Sequence, residues 1–294
     1  MLATPALLAQ TNDLDLIIRY VLAGLGHGIH AGRERGAGVE FSEYRAYAPG
    51  DEWRRVDWKL LARADRYYVR EAERDSHVAI WLWLDATASM AEPSRTIPSV
   101  DKLWYARTLL ACIAAVAQRQ GDAFGLVILS GDRVQFTPAA RGPRQMHRVL
   151  AALSKAEATG QLPAPETLRA SLHFARSPSL VFAVGDFLDY PSPMTDALLR
   201  LRHMQHDVRA LCLQTQAEAE GSFVANKAYR DPEHGDGVYR FGPDAQAEYR
   251  RQREAHFAEV NGQWRKHDIR AATANIEDPV STVLRGWLRQ AGRA

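Results

Sequence analysis

The chain has 294 residues, 46% hydrophobic and 24% charged, with a formal net charge of +2. That length holds one large α/β domain and an accessory segment, and so small a charge gives no reason to expect nucleic acid as a partner. No run of about 18 apolar residues occurs, so no membrane-spanning helix is expected.

In chain order, MLATPALLAQTNDLDL lacks a basic leader region, which reads against a signal peptide and makes the cytoplasm the expected location. Asn12 or Asp13 is a helix-cap candidate, and Leu14, Ile17, Ile18, Val21 and Leu22 follow at helical spacing, predicting a helix over 12–30. Residues 31–77 are dense in Arg, Glu, Asp and aromatic residues, with strands expected at Val39–Tyr47 and Tyr67–Glu73. Residues 1–77 therefore read as a helix plus a small β-rich accessory region, and 78–294 as the main domain.

From residue 78 strands and helices alternate. Strands are expected at 78–84, 123–130, 133–138, 180–184, 207–213 and 268–273. Helices are expected at 102–119, 142–156, 166–175, 192–204, 244–266 and 279–290, with a polar excursion over 214–242. Gly131-Asp132 is a hairpin signal, making 133–138 an antiparallel partner of the strand before it. The remaining alternation predicts a doubly wound, mostly parallel α/β sheet. Cys112 and Cys212 fall in apolar surroundings and read as buried free thiols of a reducing compartment.

The chemistry concentrates in WLWLDATASM, Trp81 to Met90. A buried strand runs into Asp85, and hydroxyls follow at Thr87 and Ser89. A carboxylate at the edge of a core is costly unless charge or hydrogen bonds meet it. In a loop leaving a strand, alternate side chains converge, and these are hard oxygen donors suited to Mg²⁺, with Ca²⁺ or Mn²⁺ as alternatives. Asp186, just after the 180–184 strand, reaches the same sheet edge, and Thr167, opening the 166–175 helix, is the candidate for a third hydroxyl. The competing reading makes Asp85 and Ser89 ordinary caps of the following turn. His147, His173 and His206 read as surface or packing residues.

The second informative stretch is GAGVEFSEYRAYAPGDEWRRVDWKLLARADRYYVREAERD, residues 36–75. Its interleaved charges and aromatic residues suit an internal ion-pair network. They equally suit a partner-binding surface, for which Arg45, Tyr47, Asp51, Arg54, Asp57, Trp58 and Arg63 are the candidates. The interleaved acids cancel the field that nucleic acid would need.

Gly36 to Arg63 reads G-x-G-x-E-F-x-E-x-R-x-Y-x-P-G-D-E-x-R-x-V-D-W-K-x-x-A-R, which resembles the signature of the bacterial domain of unknown function 58 family. That resemblance implies a von Willebrand factor A-like domain whose metal-ion-dependent adhesion site opens at Asp85-Ala-Thr-Ala-Ser89. It gives Asp85, Thr87, Ser89, Thr167 and Asp186 the metal-site roles, with Thr159 as the alternative to Thr167. Thr87 stands where the family more often has Ser, which keeps the hydroxyl. Asp231-Pro232-Glu233-His234-Gly235 matches a further family element for which the residues alone suggest no chemistry. The resemblance also implies partnership with a MoxR-type AAA ATPase, acting on a client protein in assembly or maturation of a complex.

The expected function is thus a metal-dependent protein-binding adaptor and not an enzyme. Two alternatives stay open: a structural module stabilised by its metal, and a phosphohydrolase using Asp85 as nucleophile. The second lacks the acid such enzymes carry two residues on, where this chain has Thr87.

Overall fold

The computed structural model describes residues 4–9, 11, 13–24, 43–46, 67–71, 79–131, 133–172, 177–222, 227–233, 238–240, 242 and 245–289. The chain divides into two units, one of residues 27–77 and the other of 1–26 with 78–294. In the first, β1 (Glu43–Ala46) and β2 (Tyr68–Glu71) form an antiparallel pair in which Arg45 lies opposite Val69. These two strands lie within the expected ones. The Arg45 side chain, together with Tyr47, Asp51, Arg54, Asp57, Trp58 and Arg63, lies outside the described residues.

The larger unit is built on six strands. These are β3 (Ile80–Asp85), β4 (Phe124–Ser130), β5 (Arg133–Ala140), β6 (Leu180–Gly185), β7 (Asp207–Gln214) and β10 (Arg270–Asn275). A two-stranded ribbon, β8 (Ala228–Arg230) with β9 (Val238–Arg240), stands apart from this sheet. The sheet order is β10-β7-β6-β3-β4-β5, and every neighbouring pair is parallel except the β4–β5 hairpin. β3 therefore has parallel neighbours on both sides, which explains its run of six buried residues. The chain moves from β3 to β4 on one side and later returns to β6 on the other. The loops leaving β3 and β6 meet at this reversal, on the carboxyl edge where doubly wound sheets hold ligands.

Helices cover both faces. Trp81, Trp83, Val181 and Ala183 point to one face and pack with Leu168, Leu198 and Trp264. These three come from α4 (Pro165–Ser171), α5 (Pro193–His203) and α7 (Ala245–Lys266). On the opposite face lies α2 (Lys102–Gln120), capped by the Asp101 carboxylate, which accepts the Trp104 amide at 2.6 Å, and ended by Gly121 at φ 76°. The sequence shows one apolar stripe on this helix, yet it is buried almost all round. The reason is a second tier: α1 (Leu14–Gly24), α3 (Pro143–Lys155) and α8 (Val280–Arg289) all pack on it. Trp287 of α8 also reaches the sheet, edge-on to Phe182 at 5.0 Å.

Two features go beyond the sequence reading. The helix assigned to the 1–77 accessory region belongs to the main unit. Asp13 caps α1, accepting from the amides of Asp15 and Leu16, and Ile17, Ile18 and Val21 are buried. An amphipathic helix needs an apolar surface to cover, and α2 supplies it. The polar excursion over 214–242 also contains order: α6 (Gln216–Glu220) and the β8–β9 ribbon. Elements this short carry too little periodicity to be read from sequence.

The placement of α1 has a direct check. Ile17→Ala removes a side chain that is 1% exposed and is expected to cost about 2–4 kcal/mol in urea unfolding of the main transition. Tyr20→Ala on the exposed side of the same helix should change stability by less than about 0.5 kcal/mol.

Candidate metal centre

Asp85 ends β3 with 3% of its surface exposed, on the same face as Trp81 and Trp83. Its Oδ1 accepts from the Thr87 amide at 3.0 Å and the Thr87 hydroxyl at 2.8 Å. The Thr87 and Ser89 hydroxyl oxygens are 3.2 Å apart. Three oxygen-bearing side chains are thus gathered by one turn, as alternate positions in a loop leaving a strand allow. The turn is held by backbone bonds: Ala86 N–H donates to Leu129, Thr159 N–H to Ala86, and Ala88 N–H to Gly160. Met90, fully buried in the short 3₁₀ turn Ala88–Ala91, anchors its far end.

Asp186 leaves β6 beside it, also buried. Between the two acids stands Gly185, where a Cβ would lie 2.8 Å from Asp85 Oδ2 and 2.9 Å from Asp85 Cβ. Only glycine leaves room for the Asp85 carboxylate there. The next residue, Phe187, has φ 49°, an unusual backbone for an aromatic residue. Edge-on packing against Trp264 at 4.8 Å and a 2.9 Å contact between its carbonyl and His256 Nε2 hold it in place.

A buried lysine lies behind Asp186. Lys102, the first residue of α2, is 1% exposed, with Nζ 3.1 Å from Asp186 Oδ2 and 2.6 Å from Glu218 Oε1. Burial works to discharge the ammonium, but Asp186 and Glu218 outweigh it and hold its pKa above the ordinary lysine value. Glu218 is itself fixed, because its Oε2 accepts from the amide and hydroxyl of Thr215. No pattern in the sequence pointed to Lys102 or Glu218. A lysine in the first turn of a helix opposes the helix dipole, and that mismatch was the available signal.

The third wall is the element that had no assigned chemistry. Glu233 N–H donates to Asp231 Oδ1 at 2.8 Å, and Gln161 Nε2 donates to the Glu233 carbonyl at 2.8 Å. The Glu233 carboxylate in turn accepts the Ser89 amide at 3.3 Å. A cavity of about 190 Å³ results, lined by Asp85, Thr87, Ser89, Asp186, Asp231 and Glu233 together with Asp189 and apolar residues that include Leu162 and Phe187. Among the described residues, no Lys, Arg or His lines the cavity.

Thr167 is not part of this cavity. It lies exposed in the first turns of α4, while Leu168 beside it turns into the core. Thr159, the alternative, contributes backbone bonds to the Asp85 turn, and its hydroxyl sits against Gly131. From this stretch Leu162 lines the cavity. A hydroxyl near a helix start looks available in sequence, but the rotation of the helix decides which side chain faces inward.

The donor set fits a hard divalent cation. Two aspartates and two hydroxyls supply oxygen only, and since among the described residues no three His, Cys, Asp or Glu side chains are placed to hold a metal ion, water would complete the shell. Oδ1 of Asp85 is hydrogen-bonded, whereas Oδ2 has no partner among the described residues. Burial, followed by the charge of Asp186, pushes the Asp85 pKa up to about 7.

These geometric features define an α/β protein of mostly parallel sheet with an acidic, hydroxyl-bearing site at its carboxyl edge. The chain belongs to the family described as "Protein of unknown function DUF58", whose model matches residues 43–259. It is 28% identical over 260 residues to the uncharacterized protein Rv1480 of Mycobacterium tuberculosis and equally to an uncharacterized protein of Mycobacterium bovis. Each alignment covers 87% of this chain and 80% of the relative. Among solved structures, the conserved hypothetical protein BatB from Bacteroides thetaiotaomicron superposes with a TM-score of 0.45 at 12% identity, covering 74% of this chain and all of that one. The SpRpn10 VWA domain superposes with a TM-score of 0.41 at 8% identity, covering 73% and 95%. An aerotolerance-related membrane protein from Bacteroides fragilis gives 0.44 at 14% identity, covering 72% and 97%. No helix among the described residues of this chain is long and apolar enough to cross a membrane.

Two outcomes test the electrostatics. Without divalent ions, folded Asp85 holds its proton up to about pH 7, while the unfolded chain releases it near 3.8. The native state therefore binds the extra proton across that window, and stability falls as pH rises through it. Asp85→Asn removes this fall, so in EDTA at pH 8 the variant is expected to be more stable than wild type by at least about 1 kcal/mol, and equal or weaker near pH 4, as read by denaturant titration. Lys102→Met strands the buried Asp186 carboxylate and leaves the half-buried Glu218 unpaired, and should cost about 3–5 kcal/mol.

Proposed function

We propose that the chain is a divalent-cation-dependent protein-binding module, a metal-ion-dependent adhesion site on a von Willebrand factor A-like sheet. The observation that carries this reading is Asp85 Oδ2, without a partner among the described residues, in a cavity whose described lining residues carry five carboxylates and no basic group. Asp85, Thr87 and Ser89 would hold the cation from one turn, and Asp186 from the neighbouring strand. Mg²⁺ is the preferred ion, since Mg²⁺ sites use few protein ligands and keep open positions; Ca²⁺ and Mn²⁺ share the oxygen chemistry. A cation held there would supply a Lewis-acidic position for a carboxylate of another protein.

Binding is favoured over catalysis by what surrounds Asp85. The side chain two residues on is Thr87, whose hydroxyl is already given to Asp85 Oδ1, and among the described residues no histidine lines the cavity to act as a base. The described groups can orient a bound acid and exclude water. The partner implied by the family resemblance is a MoxR-type AAA ATPase, with a client protein whose assembly or maturation the pair would serve. The cytoplasm suits such a partnership.

The test has two arms. Mg²⁺ at about a hundredfold excess over Kd is expected to stabilise wild type by about 2.7 kcal/mol through linkage, and Asp85→Ala or Asp186→Ala to lose that gain. A pull-down with a cognate MoxR-type ATPase should capture wild type in Mg²⁺, and should fail in EDTA or with Asp85→Ala. Capture indifferent to chelator and to Asp85 would overturn the adhesion reading. Stabilisation by Mg²⁺ with no effect on any partner would leave a purely structural metal.

A further inference from the structure

We propose that the groove between α1, α2 and α3 is a docking site for an amphipathic helix of another protein, one whose apolar stripe is flanked by acidic residues. The groove shares no described lining residue with the carboxyl-edge cavity, and the inference does not depend on a cation there.

The groove follows from how α1 spends its apolar residues. Ile17 and Val21 are buried against the main unit. Ile18 and Leu22, one turn apart, face a neighbouring direction. With Met146 of α3 and Ala115 of α2 they make the apolar floor of a groove of about 440 Å³. Helical spacing puts Leu16 and Tyr20 on the next strip of α1, beside Arg19 and Ala23. These two are 39% and 56% exposed, so the apolar surface of α1 continues outward past the floor. Three helices thus supply a floor and walls on which a further helix can pack ridge into groove. α1 has 11 residues, a length of about 16 Å. That matches the span of a stripe read at i, i+3 or i+4, and i+7.

Charge decides which helix fits. Arg19 of α1 and Arg119 of α2 line the groove, and both are exposed. Neither guanidinium has a hydrogen-bond or ion-pair partner among the described residues, and Asp15, one turn before Arg19, does not pair with it. Arginine holds carboxylates through a fork of donors. Two such forks with nothing to hold, beside an apolar floor, complement leucine-like anchors flanked by glutamate or aspartate. An anionic membrane is the poorer occupant. Attachment to acidic lipid takes a cluster of several basic residues, whereas the described lining has two, together with the Asp15 carboxylate.

The probes are two synthetic peptides of about 18 residues, long enough to hold a helix, with one leucine stripe flanked by glutamate in the first and by glutamine in the second. Vesicles rich in phosphatidylglycerol are the third probe. Binding to the full chain is read by fluorescence anisotropy in EDTA, so that capture of a carboxylate through a cation contributes nothing. The glutamate peptide is expected to bind wild type about tenfold tighter than the glutamine peptide. Arg19→Glu combined with Arg119→Glu should reverse that order, and Tyr20→Ala should weaken both peptides severalfold. Urea unfolding of these variants should match wild type, because all three side chains are exposed. A photoreactive group on the glutamate peptide should label α1, α2 or α3. Equal binding of the two peptides, no binding of either, a preference that survives the double charge reversal, or labelling confined to other elements overturns the proposal. Vesicle binding that is lost in the double variant, without peptide binding, assigns the groove to a membrane and overturns it equally.

Discussion

Two carboxylates buried at the ends of adjacent parallel strands repel each other, and the site is organised around that repulsion. Asp85 and Asp186 leave β3 and β6, whose register sets Leu84 opposite Val184 and so brings the two acids to one edge. Three devices make the pair tolerable. Thr87 gives both its amide and its hydroxyl to Asp85. Lys102 reaches from the start of α2 to Asp186, with Glu218 holding its other side. What these leave unmet is an oxygen of Asp85 facing an acidic cavity. A core that buries charge without pairing it is unstable, and burial beside Asp186 accordingly pushes the Asp85 pKa up to about 7.

The fold explains why this edge and not another. β3 is flanked on both sides by parallel neighbours, and the chain reverses its direction of winding there. The loops leaving β3 and β6 are therefore side by side without either having to cross the sheet. α2 is the matching element beneath: buried almost all round, it cannot shift without disturbing α1, α3 and α8. Lys102 is thus an ammonium mounted on the most constrained helix of the described residues, and Asp186 takes its orientation from that mount.

Much of this was legible in the sequence, for reasons that can be named. The alternation of apolar runs with helical stripes predicts the parallel sheet, because buried strands and amphipathic helices differ in period. Asp85, Thr87 and Ser89 could be grouped because a loop leaving a strand gathers alternate side chains, a local matter. Asp186 followed from the same rule applied to a second strand. Thr167 lies outside the cavity lining because helix rotation is a tertiary property: with Leu168 packed into the core, the threonine faces outward. The lysine's misfit with the helix dipole and the match that includes Glu233 were visible, but the partners of Lys102, Glu218 and Glu233 were not, since these contacts span 84, 116 and 144 residues. Residues 1–77 were divided at a change of composition, but Ile17 and Val21 show that the helix there is bound to α2 by what it buries.

Gly185 carries a consequence of its own. It contributes no oxygen, no charge and no contact surface, yet a methyl group at its Cα would take the space now filled by the Asp85 carboxylate. Gly185→Ala would leave every donor in the sequence untouched and still deny one of them its seat. Competence at this edge therefore cannot be judged by checking for aspartates and hydroxyls alone; a chain that preserves all of them and fills position 185 would look intact on paper and be crippled in practice.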